Sequence, residues 1–436
     1  MTTLFSRLAL ISLAGLAASL GACTIDQVGD ATAGDEHTQA KAAPTPASID
    51  PMAISTGAAV TGLTNTTQGG NASATIESSV VAHANDSRDG APGEGDSGNI
   101  SQISFAPEGA DFDPDVSRDG RTIVFASTQH RPKADIYIKS TTGRTVTQLT
   151  NDPANDLMPR LSPDGTRIAF ASDRAGNWDI YVMPATGGKP IQVTSSAAQE
   201  LHPSWSPDGS EIAYCRLGET SGLWEMWITS VSNPGIARFV GNGLFPQWCP
   251  ISGTGSGGAD RIAFQKSRER GDRAFGIWVM DYRNGEAGNT TEIASSTISA
   301  CINPSWSPDG QWIAYATVPN PSEWSGESRP SWAELWMVDA AGNNRVALTG
   351  GHFVNLMPSW GPQNKLYFVS DRGGIDNIWS MDTAKVLALA ASNAATPAIA
   401  TATPKRAAAP TAAPIVVPSK SAQPPIATVP ETTEHH

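Results

Sequence analysis

From Ile100 to about residue 385, apolar residues come in short runs separated by turns rich in Gly, Asp and Ser. Each run has the length and the β-branched and aromatic content of a strand, and no amphipathic stretch of ten or more residues interrupts the series. The runs repeat in register. A proline precedes each copy, at Pro114, Pro159, Pro203, Pro246, Pro304 and Pro358. The first five of the following segments read "PDVSRDGRTIVF", "PRLSPDGTRIAF", "PSWSPDGSEIAY", "PQWC…DRIAF" and "PSWSPDGQWIAY", and the sixth reads "PSWGPQNKLYF". Each is followed by a second apolar run: "ADIYIKS", "WDIYVMP", "LWEMWIT", "FGIWVMD", "AELWMVD" and "DNIWSMD". Most copies close on a polar, Thr-bearing segment such as "TVTQLT" or "PIQVT".

Four short strands in a unit of roughly 45 residues is the pattern of a propeller blade. The sixth unit lacks a clear fourth strand. The segment "ISQISFAPEGADFDP" at 100–114 matches "VTQLTNDPANDLMP" at 146–159, so it is expected to supply that strand and close the ring. The predicted fold is all-β: a six-bladed β-propeller over 100–385, closed by an N-terminal strand and flanked by disordered tails.

The recurring Ser-Pro-Asp-Gly reads as a hairpin turn between the first two strands of a blade. Pro presets the first central position, Asp tolerates the second, and Gly supplies a positive φ. A catalytic Ser or Asp would need a base and an oxyanion hole beside it, and the repeats offer neither. The tryptophans two residues after the anchor (Trp205, Trp248, Trp306, Trp360) read as wedges between blades. "SDR" at Ser172–Arg174 and Ser370–Arg372 reads as a local Asp/Arg pairing that holds a loop.

The ends differ in composition. Residues 1–22 combine Arg7 with an apolar stretch and read as a signal peptide. It ends in Leu20-Gly21-Ala22-Cys23, which resembles a bacterial lipobox, with Cys23 expected to carry the lipid. Thr24 follows in place of Asp, which suggests outer-membrane sorting. Residues 24–99 hold no Trp, Tyr or Phe. They are expected to be a disordered tether with an end-to-end distance of about 50 Å. Residues 386–436 form an Ala/Pro/Thr-rich tail, with "AKVLALAAS" at its start open to either a helical turn or a last strand.

The net charge of −13 argues against nucleic acid as a partner. Cys215, Cys249 and Cys301 have no metal-type spacing and read as small buried residues without a disulfide. No cofactor, metal or catalytic residue is expected.

The pattern "P-x-W-S-P-D-G-x-x-I-A-[FY]" followed by "[DN]-I-[YW]-x-M" resembles the propeller of the TolB family, over about residues 100–385. In that family a small α/β domain precedes the propeller. Here the stretch 24–99 stands in its place, and the lipobox is a second departure. The resemblance implies a protein-binding scaffold in the cell envelope, with a partner like the peptidoglycan-associated lipoprotein at the channel mouth. Prolyl-oligopeptidase-type enzymes follow a related propeller with a hydrolase domain, and residues 386–436 contain no G-x-S-x-G. Oligogalacturonate lyases also resemble this repeat and use a histidine-held metal. That makes a metal at His130, His202 and His352 the alternative reading.

Blade topology predicts two faces. The Ser-Pro-Asp-Gly turns lie on one. The blade-to-blade loops and the long loops "KSRERGDRAFG" and "TVPNPSEWSGESRPSWAE" lie on the other. The residue before each anchor proline is expected to ring the channel mouth on that second face: Asp113, Met158, His202, Phe245, Asn303 and Met357. Trp324, Trp332 and His352 are the further expected partner contacts.

Overall fold

The structure is a computed structural model, and it describes residues 99–267, 275–319 and 330–395. Cys23, Trp324, the 24–98 stretch, parts of both long loops and the tail beyond residue 395 lie outside the described residues. Six antiparallel four-stranded sheets follow one another around a central axis. The inner strand of each sheet stands at the start of its repeat. In chain order these strands are Asp111–Val116, Asp156–Leu161, Glu200–Trp205, Leu244–Trp248, Ser299–Trp306 and Asn355–Trp360.

The ring closes as the sequence pattern predicts. Ile100–Gln102 pairs antiparallel with Asn377–Asp382, from Ile100 opposite Met381 to Gln102 opposite Trp379. The seam continues past the strand. The Ile103 N–H donates to the Ile378 carbonyl at 2.8 Å. Asn377 Oδ1 accepts from the Ala106 N–H at 2.9 Å and from Ser104 Oγ at 3.2 Å, while Ser104 Oγ accepts from the Ile378 N–H at 2.9 Å. Every blade thereby has four strands, and no inner edge of the sheet series is left open.

Packing between blades rests on one repeated position in the second strand. Phe125, Phe170, Tyr214, Phe264, Tyr315 and Phe368 occupy it, and all are buried. The next position is small or slim in most blades: Ala126, Ala171, Cys215 and Ala316. Cys215 thus takes the place of an alanine. All three described cysteines are buried and none is in a disulfide. Burial pushes the Cys215 thiol up, so it stays protonated and unreactive.

The Ser-Pro-Asp-Gly turns consume their own polar groups. Ser162 Oγ donates to Asp164 Oδ1 at 2.5 Å and accepts from the Arg167 N–H at 2.9 Å. Asp164 Oδ1 also accepts from the Thr166 N–H at 3.0 Å. These bonds hold the Asp164 carboxyl at about 2. The same set recurs at Ser206/Asp208 and Ser307/Asp309. The turn glycines Gly120, Gly165, Gly209 and Gly310 have φ between 68° and 72°, as a left-handed exit from the turn requires.

The wedge tryptophans join neighbouring blades. Trp205 Nε1 donates to the Arg160 carbonyl of the preceding blade, and Trp306 Nε1 to that of Gln247, each at 2.9 Å. Arg167 lies 4.7 Å from the Trp205 ring while donating to the Gly209 carbonyl at 2.9 Å. Arg261 does the same with Trp306 and Gly310.

One boundary moves. Residues Ala384–Ala395 form a helix, which resolves the open reading of "AKVLALAAS" and shortens the tail that was expected from residue 386. Val386 and Ala390, one turn apart, are buried in the same apolar cluster as Leu356 and Trp360. Asp382 Oδ1 accepts from the Ala384 N–H at 2.8 Å, one of the donors the first turn leaves free. Apolar docking, not local propensity alone, fixes this segment as helix.

Asn377→Ala removes the acceptor shared by the closing segment and strands two buried donors. It is expected to cost about 1–3 kcal/mol. The check is a lower urea midpoint with an unchanged far-UV circular dichroism spectrum.

Candidate functional site: the central channel

The six residues before the anchor prolines do come together, but not as an exposed rim. All six have left-handed backbone, with φ of 52° to 58°. At each, the pairing between the inner and second strands loses register, for example between Phe112 and Asp115 and between Leu201 and Ser204. This is a β-bulge repeated six times around the axis. Left-handed backbone is unfavourable for Met, His and Phe, by about 1–3 kcal/mol each. The bulge turns these side chains into the channel. Asp113, Met158, His202, Phe245 and Asn303 are buried there and Met357 is half-buried. These residues are buried or half-buried, and the bulge sits inside the strand and not at its exposed end.

These residues are held by packing and charge. The rings of His202 and Phe245 lie 3.6 Å apart. Burial and the nearby Arg160 hold His202 well below its usual value, so it is neutral. Burial pushes Asp113 up to about 6, against the opposing pull of Arg160 and of the Met158 N–H. Asp115 next to it is also raised by burial, and its Oδ2 accepts from the Leu161 N–H at 2.7 Å.

The open space lies at the other end of the inner strands, on the face of the turns. A cavity of about 310 Å³ is walled there by Trp205, Trp248, Trp306 and Trp360, with Ser204, Ser305, Ser359 and Gln247 between them. Ser204 Oγ and Ser305 Oγ accept from the N–H groups of Trp248 and Trp360 in the next blade, at 2.9 and 3.0 Å. One side chain crosses the opening. Arg118, from the first blade, donates to the carbonyls of Pro207 at 3.2 Å and Pro250 at 3.1 Å, in the third and fourth blades. Sequence reasoning missed this side of the channel. The available signal was the single turn "SRDG" at Ser117–Gly120, where Arg118 replaces the proline of the other turns.

The remaining expected residues differ from the bulge residues in burial. His352 and His130 are exposed and Trp332 is half-buried. His202 is buried in the channel, so the three histidines do not converge as a metal site would require. Among the described residues no three of His, Cys, Asp and Glu gather closely enough to hold a metal ion.

The "SDR" loops are fastened in a different way from the one expected. Arg174 pairs with Asp152 and Asp156, each at 2.8 Å. Asp173 instead accepts from the Asn155 N–H at 2.7 Å. At the junction of the first and second blades two buried carboxylates, Asp135 and Asp156, thus have one arginine each, Arg131 and Arg174. At the closing seam Asn377 takes the place of one carboxylate. The junction of the second and third blades has neither remedy. Asp179 and Glu200 are both buried and face each other. Asp179 accepts from Gln192 Nε2 at 3.1 Å and Glu200 from Ser196 Oγ at 2.7 Å, and each has one oxygen without a donor. A proton shared between those two oxygens satisfies both. Asp179 is pushed up to about 7, by burial first and then by the charge of Glu200 and the hydrogen bond with it.

A carboxyl raised on folding takes up a proton that the unfolded chain has already lost, so this pair lowers stability as pH rises between about 4 and 7. Glu200→Gln supplies a permanent donor. It is expected to raise the thermal midpoint at pH 8 and to flatten the loss of stability between pH 5 and 7.5. Thermal melts across that range read both effects, and an unchanged slope would count against the shared proton.

The family model PD40, the TolB β-propeller domain, matches residues 96–235. Among solved structures, the putative TolB from Agrobacterium tumefaciens is 21% identical, covering 65% of this chain and 96% of its own, with a TM-score of 0.49. TolB from Acinetobacter baumannii is 18% identical, covering 60% of this chain and 57% of its own, with a TM-score of 0.44. An oligogalacturonate lyase from Vibrio parahaemolyticus is 12% identical, covering 66% and 95%, with a TM-score of 0.45. The matched segment runs through the closing strand, two whole blades and most of the third, and the same repeat continues to the sixth: this is a TolB-like six-bladed β-propeller protein.

Proposed function

We propose that this propeller is a protein-binding scaffold on the periplasmic side of a bacterial membrane, held there by lipid on Cys23. The observation that carries the reading is the channel itself. Its inner strands carry buried bulge residues, and at the turn face it opens as a cavity with hydrogen-bonding walls. A rigid closed ring that presents such a cavity suits the capture of a protein segment. The TolB-like repeat supports a protein partner in the cell envelope, and a lipoprotein like the peptidoglycan-associated one is the first to test. The lipobox Leu20-Gly21-Ala22-Cys23 supports the anchor, and Thr24 after it supports the outer membrane as its location. The structure gives no specific support to a metal-dependent lyase, because His130, His202 and His352 occupy separate environments.

Two outcomes are expected. Cys23→Ser moves the full chain from the membrane pellet to the soluble fraction, and retention at the membrane would overturn the anchor. Crosslinking in envelope preparations joins the propeller to a peptidoglycan-binding lipoprotein. One tightly bound divalent ion, lost in His202→Ala or His352→Ala and detected by metal analysis, would overturn the scaffold reading.

A further inference from the structure

We propose that the turn-face cavity takes an extended peptide segment bearing a carboxylate, and that Arg118 is the residue that selects it. This rests on the scaffold reading and names the chemistry of its partner.

The protein carries a net charge of −13, yet the charge that spans this opening is cationic. Arg118 is exposed and donates only to two backbone carbonyls, those of Pro207 and Pro250, from blades across the entrance. Among the described residues no carboxylate pairs with it. The other cation in the cavity wall, Arg160, already has Asp113 and Asp115 beside it. A guanidinium held by neutral carbonyls at 3.1 and 3.2 Å is bound loosely for its type. Two parallel bonds to a carboxylate are shorter and roughly twice as strong as bonds between neutral groups. A carboxylate arriving at the entrance therefore displaces both carbonyls, and the strap swings from the channel wall onto the ligand.

The walls decide between a peptide and a sugar acid. The four indoles are 5–7% exposed, and Arg167 and Arg261 of the preceding blades lie over the rings of Trp205 and Trp306, so they offer little open ring for a sugar to stack on. The groups between them are small and polar: the hydroxyls of Ser204, Ser305 and Ser359 and the half-buried amide of Gln247. Such groups match the carbonyls and N–H groups of an extended chain. A volume of about 310 Å³ admits a few residues and not a folded domain.

The test selects random seven-residue peptides, displayed with a free C-terminus, against the full chain and against its Arg118→Ala variant. Arg118 is exposed, so the variant is expected to keep the wild-type melting temperature. Peptides selected on the wild type are expected to carry Asp, Glu or a required free C-terminus. Their affinity should fall at least about tenfold in Arg118→Ala, recover in part in Arg118→Lys, and weaken with added NaCl. Selection of peptides without a carboxylate requirement, equal binding to Arg118→Ala, or no selected peptide each overturns the inference. So does digalacturonate binding that depends on Arg118 while peptides do not compete. Peptides that bind independently of Arg118 would leave the scaffold reading intact, whereas the crosslinking above tests that reading on its own.

Discussion

Everything in this molecule depends on one antiparallel pairing, Ile100–Gln102 against Asn377–Asp382. Six wedge-shaped sheets around an axis are stable only when each packs against two neighbours. The chain makes that possible by sending its first strand to complete its last sheet. The buried Ser104–Asn377 bonds extend the seam beyond three residues of strand, and the aromatic position of the second strand then meets a neighbour in every blade. An open array would leave that position and a sheet edge in water.

Closure also sets the problem at the axis. Inner strands converge there, and straight strands would leave a continuous channel. The bulge repeated in all six inner strands turns one side chain per blade into that space, at the cost of a left-handed backbone on residues that disfavour it. Met158, His202, Phe245 and Asn303 are buried there, and a cavity lies toward the turns.

Chemistry then concentrates where one repeat departs from the others. Three blade junctions bury acidic positions in three ways: an arginine for each carboxylate at Asp135 and Asp156, an asparagine at Asn377, and two carboxyls facing each other at Asp179 and Glu200. Likewise, one turn of the series has an arginine where the others have proline, and it is the one whose side chain crosses the entrance.

Much of the fold was legible in the chain because it is written several times over. Strand period, turn chemistry and blade number follow from local residue patterns, and the match between segments 100–114 and 146–159 even foretold the closing strand. The same reading identified the six residues Asp113, Met158, His202, Phe245, Asn303 and Met357 as a ring, since their position before the anchor proline is local information. It could not say at what depth they lie. That follows from a bulge, which is a relation between two strands and leaves no mark on either alone. Nor could it show that Arg118 reaches Pro207 and Pro250, 89 and 132 residues away, or that Asp179 meets Glu200 without an arginine between them. Sequence alone determined the repeated strands, their turns and the number of blades, because these rest on local patterns; only the tertiary structure, by docking Val386 and Ala390 and bringing distant blades to one axis, decided the last helix and which charges face one another.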